Sequence, residues 1–192
     1  MKILFLSPHK ELAEFIKSYG DEVLTVTGSL TAGAADGSDF IISYEHPEPI
    51  SAETVSLVHG RAIKLHPSYL PWNRGADPNI WSFIDRTPKG VTICFIDGGP
   101  DTGDIIAQRY LKYDYDTDTL ATFADKLTAC LEDLFKKTWH YIRDGQAKRY
   151  PQTTCHSAED KARYEHLLTL GADTPVKDII RGCKNDHQSK TT

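Results

Sequence analysis

Short apolar stretches alternate with stretches of helical spacing along the chain. Runs rich in Val, Ile, Leu and Phe, in which apolar residues are consecutive or alternate with polar ones, predict strands. Stretches in which apolar residues recur every three to four positions predict helices. The predicted strands are 1–6, 21–28, 40–45, 61–68, 90–97 and 104–114. The predicted helices are 9–20, 51–60, 78–87, 117–144, 162–171 and 173–182, of which 117–144 is the longest.

Residues at the ends of several predicted helices support these boundaries. Ser51 is a good N-cap, although Thr54 stands where a full capping box has Glu or Gln. Pro78 suits the first turn of a helix. Gly20 and Gly145 are positioned to end the helices before them.

The alternation of strands and helices predicts an α/β fold with a mostly parallel central sheet. We expect a Rossmann-like core over 1–145 and a short C-terminal extension over 146–192 that carries a small helical appendage and a disordered tail from 183. Ligands of such sheets bind beyond the carboxyl ends of the strands. We expect both His66 and the GGPDTG loop at 98–103 to lie at such ends.

Composition narrows the class of protein. The chain has 192 residues, 40% of them hydrophobic, which suffices for one domain with a sizeable core. Lys and Arg total 22 against 27 acidic residues, for a net charge of -5, which disfavours a nucleic-acid partner. No apolar run is long enough to span a bilayer, and MKILFL is too short for the apolar part of a signal peptide. We therefore expect a cytoplasmic protein with no membrane partner.

Metal binding and disulfide chemistry find little support in the sequence. The four cysteines, Cys94, Cys130, Cys155 and Cys183, form no C-x-x-C pair, and a Cys155–Cys183 pairing is left open. Their spacing to the nearby histidines is wrong for a zinc finger. The stretch DYDTDT, from Asp114, lacks the Gly and Glu of a calcium loop and is typical of an acidic helix start. We expect no metal.

Two separated segments carry residues suited to proton transfer. Lys64 and His66 are two apart on a predicted strand, so their side chains leave the same face. The loop GGPDTGD after a neighbouring strand presents Asp101 and then Asp104. A carboxylate beside an imidazole fixes its tautomer and stabilises its cation, while the histidine handles a proton. The alternative is a capped strand with an aspartate in a turn.

The segment "HPSYLPWNRGADPNIWSFI…TPKGVTICFIDGGPDTGDIIAQ" resembles the formyltransferases that use 10-formyltetrahydrofolate. Its "SYLPWNRGADPN" variant is most similar to the nucleotide-linked amino-sugar N-formyltransferases. The resemblance implies a Rossmann-like core and direct transfer of the formyl group to a primary amine of the sugar, a reaction of lipopolysaccharide O-antigen biosynthesis. It implies that His66 positions and deprotonates the amine, and that Asp101 orients His66 and takes part in proton movement toward the leaving nitrogen.

The sequence departs from this family two residues before the histidine. The family has Asn there, whose amide donates to the developing oxyanion; this chain has Lys64. Such a donor is worth about 3 kcal/mol of barrier. An ammonium can also stabilise an oxyanion, or it can pair with Asp101, draw it from His66 and lower the pKa of His66. Three interpretations stay open: an enzyme with an altered donor, a weakened enzyme, and a catalytically silent folate- or sugar-nucleotide-binding relative.

The resemblance also implies which residues bind the two substrates. For 10-formyltetrahydrofolate it implies mainly backbone groups of the loops flanking the site: those of Ser43, Tyr44, Ile96, Gly98, Gly99 and Pro100. For the nucleotide sugar it suggests Asn73 and Arg74, although Arg74 is equally suited to hold Asp77 or a backbone carbonyl. A glycinamide ribonucleotide acceptor and hydrolysis of the folate are alternatives, a tRNA acceptor is disfavoured, and a homodimer is consistent with the family.

Overall fold

The computed structural model of the chain describes residues 1–30, 33–153 and 166–188. Within these ranges it has six strands and five helices in chain order. The strands are β1 (Lys2–Leu6), β2 (Glu22–Val26), β3 (Phe40–Tyr44), β4 (Ala62–His66), β5 (Gly90–Phe95) and β6 (Ile105–Tyr110). The helices are α1 (Lys10–Lys17), α2 (Ala52–Leu57), α3 (Pro78–Ile84), α4 (Leu120–Arg143) and α5 (Val176–Gln188).

The six strands form one sheet in the order β2-β1-β3-β4-β5-β6. β2, β1, β3 and β4 run parallel, which confirms the predicted mostly parallel α/β sheet. β5 runs antiparallel to both β4 and β6. Since Phe95 at the end of β5 pairs with Ile63 at the start of β4, the loop after β5 leaves from the amino end of the parallel strands. The expectation that this loop lies at their carboxyl ends was therefore wrong.

The two faces of the sheet differ in chemistry. One face carries the larger core, in which Ile63 and Leu65 of β4 pack with helices that include α1, α3, α4 and α5. The other face carries a smaller core around Leu4, Ile41 and Val55 of α2. Because successive strand residues point to opposite faces, the polar residues of β4 lie on the second face. The functional groups are therefore placed away from the larger core.

Local signals hold the helices that frame the sheet. Ser51 caps α2 by accepting a hydrogen bond from the Thr54 amide at 3.2 Å, as predicted. Thr119 caps α4 in a reciprocal box with Thr122, whose hydroxyl accepts from the Thr119 amide. The last turn of α4 is followed by Gly145 at φ 70°, in the left-handed region that suits glycine.

The chain returns to the sheet after α4. We call residues 146–153 the return segment. Its Tyr150 exchanges two backbone hydrogen bonds with Ile105 at the start of β6, at 2.8 and 2.9 Å. The boundary expected at residue 145 stays a prediction, but these bonds tie the residues after it to the core.

The C-terminal part differs from the sequence expectations in two places. The helix expected over 162–171 is a single 3₁₀ turn over residues 166–169, and 162–165 lie outside the described residues. The tail expected to be disordered from 183 continues α5 to Gln188. α5 is anchored because Val176 and Ile179 are fully buried in the larger core. The possible partner of Cys183, Cys155, lies outside the described residues.

Candidate active site

Lys64, His66 and Asp101 come together above the second face of the sheet. The Lys64 ammonium Nζ lies 2.5 Å from Oδ1 of Asp101, and Nδ1 of His66 lies 3.6 Å from Oδ2. The Gly75 amide donates to the same Oδ2 at 2.9 Å. The contact with Lys64 is a close charge pair rather than an aligned hydrogen bond, since Oδ1 accepts none within the described structure. The sequence thus located three groups that meet in space, although Asp101 lies 35 positions after His66 and 37 after Lys64.

The loop that carries Asp101 is held in an unusual conformation. Asp101 has φ 57°, in the left-handed region that non-glycine residues seldom adopt. Asp97 accepts hydrogen bonds from the Gly99 amide and the Thr102 hydroxyl, at 2.9 and 2.8 Å, and these fold the loop on itself. Gly103 passes so close to β5 that an added Cβ would stand 1.9 Å from the Phe95 carbonyl oxygen. The loop is therefore pressed onto the sheet, which brings the carboxylate over β4.

Nearby charges and burial set the protonation states of His66 and Asp101. Burial lowers the pKa of His66 below its ordinary value; the Asp101 carboxylate opposes this, and Lys64 adds to it. For Asp101, burial opposes ionisation, but the ion pairs with His66 and Lys64 and the hydrogen bond from the Gly75 amide outweigh it and lower the pKa. At neutral pH the site therefore holds an ionised Asp101 paired with Lys64, beside a neutral imidazole.

The hydrogen bonds assign the tautomer of the neutral His66. Nε2 lies 3.2 Å from the backbone oxygen of Asn73. A carbonyl oxygen only accepts, so Nε2 carries the proton and Nδ1 is left as a lone pair. That lone pair faces Asp101 at 3.6 Å, too far for a hydrogen bond. The ring is 2% exposed and lies behind the Lys64–Asp101 pair.

A cavity of about 380 Å³ opens beside this pair. Its lining includes six residues predicted from the sequence, namely Ser43, Lys64, Ile96, Gly99, Pro100 and Asp101. The remaining lining residues are His46, Pro47, Glu48, Pro49, Ile50, Gly75, Ala76, Cys94 and Phe95. Most of the wall is apolar and the charged groups are few, which is typical of small-molecule sites.

Four predicted binding residues stand elsewhere. Tyr44 follows Ser43 on β3, so its side chain points to the opposite face, where its ring stacks on His9 with centroids 4.2 Å apart. Gly98 packs against Ala52 at the start of α2. The other two lie in the loop after β4.

The Asn73 side chain is committed to contacts within the protein. Its amide nitrogen donates to Asp85 at 3.3 Å, and its amide oxygen accepts from the Thr87 hydroxyl. The Arg74 guanidinium donates to Gln152 from Nε and Nη2, at 3.1 and 2.7 Å. Nη2 of Arg74 also donates to the backbone oxygen of Thr153 at 3.4 Å, as in the alternative that Arg74 holds a backbone carbonyl. A contact of Arg74 with substrate stays a prediction.

Sequence reasoning missed two parts of the site. One is the stretch 47–50, which forms a wall of the cavity together with His46; its two prolines shortly after a buried strand were the available signal, because ligands bind where such strands end. Gln152 was missed because nothing local marks it: 51 positions separate it from Asp101, whose backbone oxygen it contacts.

The lining of the cavity suits an organic molecule, because most of it is apolar. Within the described residues no group of three or more His, Cys, Asp and Glu is arranged to hold a metal. The mostly apolar cavity with charged groups at one edge suits a reduced pterin, whose ring bears polar atoms at its rim. Cys94 also lines the cavity, but burial raises the pKa of its thiol to about 12, so it is not a nucleophile at neutral pH.

In the described ranges no helix has the length and apolarity needed to cross a bilayer.

Comparison with known proteins gives consistent matches. A family model described as Formyl transferase matches residues 17–136. The crystal structure of the formyltransferase PseJ from Anoxybacillus kamchatkensis, in complex with UDP-4,6-dideoxy-4-formamido-L-AltNAc and tetrahydrofolate, is 46% identical to this chain, with a TM-score of 0.85 over 94% of this chain and 98% of that one.

Two curated proteins are also similar. A methionyl-tRNA formyltransferase of Halothermothrix orenii is 41% identical over 122 residues, 63% of this chain and 37% of that protein. A dTDP-4-amino-4,6-dideoxyglucose formyltransferase of Mycobacterium bovis is 30% identical over 132 residues, 69% of this chain and 55% of that protein. The chain spans between 37% and 46% of the length of three methionyl-tRNA formyltransferases that it matches.

Proposed function

Because this chain belongs to the formyl transferase family, we propose that it transfers the formyl group of 10-formyltetrahydrofolate to the primary amine of a nucleotide-linked amino sugar. The observation that carries the proposal is the Lys64–Asp101 pair at the edge of the cavity. Formyl transfer to an amine develops negative charge on the formyl oxygen and positive charge on the amine. A cation and an anion in contact at one edge of the cavity are matched to these two charges.

The reaction forms one bond and breaks another. The amine nitrogen bonds to the formyl carbon, the bond from that carbon to the ring-linking nitrogen of the folate breaks, and one proton passes from the amine to the leaving nitrogen. Bound formyltetrahydrofolate supplies the activated formyl group. Lys64 stabilises the oxygen that becomes negative, a role worth about 3 kcal/mol when one such donor is removed elsewhere.

Asp101 and His66 handle the proton in this proposal. Asp101 accepts the hydrogen bond of the attacking amine, which must be neutral to react. The Nδ1 lone pair of His66, 3.6 Å from the carboxylate, is a second acceptor behind it. Burial lowers the pKa of His66 and so keeps the imidazole neutral. The neutral ring can receive a proton at physiological pH. In this proposal His66 and Asp101 are the catalytic residues that handle the proton, and Lys64 is the catalytic residue that stabilises the oxyanion.

For the acceptor we propose a UDP-linked 4-amino-4,6-dideoxy sugar. The support is the similarity to PseJ, which holds a 4-formamido product of this kind and is aligned over nearly its whole length. The curated relatives favour a second candidate, methionyl-tRNA, although the net charge of -5 is unfavourable for binding a nucleic acid. The proposal keeps the cytoplasmic location and the homodimer expected from the sequence; light scattering of the purified protein tests the latter.

Turnover assays with a panel of acceptors test the proposal. The protein is mixed with 10-formyltetrahydrofolate and, in turn, UDP-4-amino-4,6-dideoxy-L-AltNAc, dTDP-4-amino-4,6-dideoxyglucose, methionyl-tRNA, glycinamide ribonucleotide, or buffer alone. We expect mass spectrometry to find a formylated UDP sugar, formed fastest of all products. Asp101→Asn should abolish it, whereas Asp116→Asn, a change at an exposed carboxylate, should not. Preferred formylation of tRNA or of glycinamide ribonucleotide, or release of free formate, would overturn the acceptor assignment.

A further inference from the structure

Gln152 uses its whole side-chain amide to join two loops of the site. Its nitrogen Nε2 donates to the backbone oxygens of Asp101 and Gly103, at 3.0 and 2.7 Å. Its oxygen Oε1 accepts from Nε and Nη2 of Arg74, at 3.1 and 2.7 Å. A primary amide has two N–H donors and one oxygen with two lone pairs, so every polar group of this side chain is used.

The partners leave this amide only one orientation. Carbonyl oxygens accept and never donate, while a guanidinium donates and never accepts. Turning the amide over would place its oxygen against two carbonyls and its N–H groups against the guanidinium, with the loss of all four hydrogen bonds. The position of Gln152 therefore fixes where Arg74 and the Asp101 backbone lie relative to each other.

Gln152 itself is held in place by the return segment. Two residues earlier, Tyr150 is bonded in both directions to Ile105, the first residue of β6. The guanidinium of Arg149 lies over the Phe95 ring at 3.5 Å from its centroid. Gln152 thus acts from a fixed support on the sheet.

The two loops that it joins carry the contacts that place the candidate catalytic groups. The loop after β4 supplies the Gly75 amide that binds Asp101, and the Asn73 oxygen that binds His66. The other loop holds Asp101 itself, at a φ of 57° that its surroundings must maintain. Resting on the proposed function, we propose that Gln152 is a positioning residue, which sets the distance between the Asp101 carboxylate and the Lys64–His66 strand through these two loops.

Matched glutamine substitutions test this proposal. Gln152→Leu removes all four hydrogen bonds at similar volume. Gln152→Glu keeps an acceptor for Arg74 but sets a carboxylate oxygen against the two loop carbonyls. Gln146→Leu is the control, because Gln146 is an exposed glutamine of the same return segment. We expect both Gln152 variants to lower kcat by about tenfold or more, since small displacements of reacting groups carry penalties of this order, with the KM for each substrate within about threefold. Gln146→Leu should match the parent protein.

A second measurement does not depend on turnover. Hydrogen–deuterium exchange should quicken for amides of residues 97–104 and 73–77 in both Gln152 variants and stay unchanged in Gln146→Leu. If the parent protein formylates none of the acceptors, the proposed function fails. Hydrogen–deuterium exchange and the measured affinity for folinic acid, compared between the parent and the Gln152 variants, then still decide the role of Gln152. A Gln152→Leu protein with kcat within twofold of the parent, or with unchanged exchange in both loops, would overturn the inference. So would a loss of kcat equalled by Gln146→Leu.

Discussion

Replacing Lys64 by methionine tests the charge pair at the centre of the site. Methionine has similar length and flexibility but no charge, so Lys64→Met removes the ammonium that lies 2.5 Å from Asp101. The Asp101 side chain is 2% exposed and Lys64 32% exposed, so the carboxylate stays buried when its partner is lost. Its remaining strong donor is the Gly75 amide.

The expected loss of stability lies between two limits. Removing one partner of a fully buried pair costs about 3–5 kcal/mol, because a bare charge is left in the interior. Exposed pairs contribute about 0–1 kcal/mol. With one partner buried and the other one-third exposed, we expect Lys64→Met to lower the free energy of unfolding by about 2 kcal/mol at pH 8. A double-mutant cycle with Asp101→Asn should give a coupling energy of about the same size. The buried carboxylate of Asp101 needs the cation, whereas the neutral amide of the substituted asparagine does not.

His66 should reduce this loss at lower pH. Lys64 contributes to lowering the pKa of His66 and Asp101 raises it, so removing the ammonium raises that pKa. The folded variant then takes up a proton on His66 that the folded parent does not. By linkage this uptake stabilises the variant relative to the parent as pH falls, so the deficit should be smaller at pH 6 than at pH 8.

Urea unfolding followed by tryptophan fluorescence at pH 6 and pH 8 measures these quantities. Lys136→Met is the control, because the Lys136 ammonium pairs at 3.8 Å with Glu132 at the surface, and its loss should cost less than about 0.5 kcal/mol. A coupling energy below about 0.5 kcal/mol, or a deficit larger at pH 6 than at pH 8, would refute the assignment of Lys64 as the counter-ion of an ionised Asp101.

The same substitution separates the interpretations left open by the sequence. If the ammonium stabilises the oxyanion, Lys64→Met should lower kcat by about 100-fold. Lys64→Asn restores an amide at this position. Equal rates for the parent and Lys64→Asn would show that the charge of Lys64 is not needed for transfer, and full activity of Lys64→Met would remove it from the mechanism.

Three further predictions follow from burial and close approach. The parent protein should lose stability as pH falls through about 6.5, because the unfolded chain takes up a proton that the buried His66 ring does not. His66 contributes at most about 1.4 kcal/mol per pH unit to this slope. His66→Gln should lower the slope in urea titrations, and an unchanged slope would contradict the burial of a neutral ring. Gly103→Ala should destabilise by more than about 2 kcal/mol and lower activity, since its Cβ would meet the Phe95 oxygen at 1.9 Å; calorimetry and turnover check this, and a neutral effect would count against the close approach. The Cys94 thiol, with its pKa raised to about 12, should resist iodoacetamide at pH 8 in the folded protein; peptide mapping that finds it modified as fast as the less buried Cys130 would contradict this.

The elements were predictable because their periods are local. All six strands were located from apolar runs, and α4 from its repeating apolar positions. The direction of β5 in the sheet was not predictable, because the side chains of a strand alternate with a period of two whichever way the strand runs. Within the described part of the helix expected over 162–171, residues 166–169 form a 3₁₀ turn and not an α-helix, because a short segment depends on what it packs against.

The site was predictable only where a motif marked it. Lys64 and His66 share a strand face, the loop GGPDTGD presented both Asp101 and Asp104, and the resemblance selected Asp101. The resemblance implied backbone contacts to folate at both Ser43 and Tyr44, whereas strand geometry directs only the Ser43 side chain to the cavity, since neighbours on a strand point to opposite faces. The role of Gln152 depends on the path of the chain after α4, and no spacing in the sequence records that path.

The unequal faces of β4 suggest a route for altering the folate preference of the site in the laboratory. Ile63 and Leu65 hold the strand to the larger core, while Lys64 between them lies on the cavity side. A library that varies Ser43 and residues 46–49, and leaves Ile50 and the apolar side of β4 untouched, would sample new folate derivatives with little risk to folding. Variants from such a library should lose specificity long before they lose solubility.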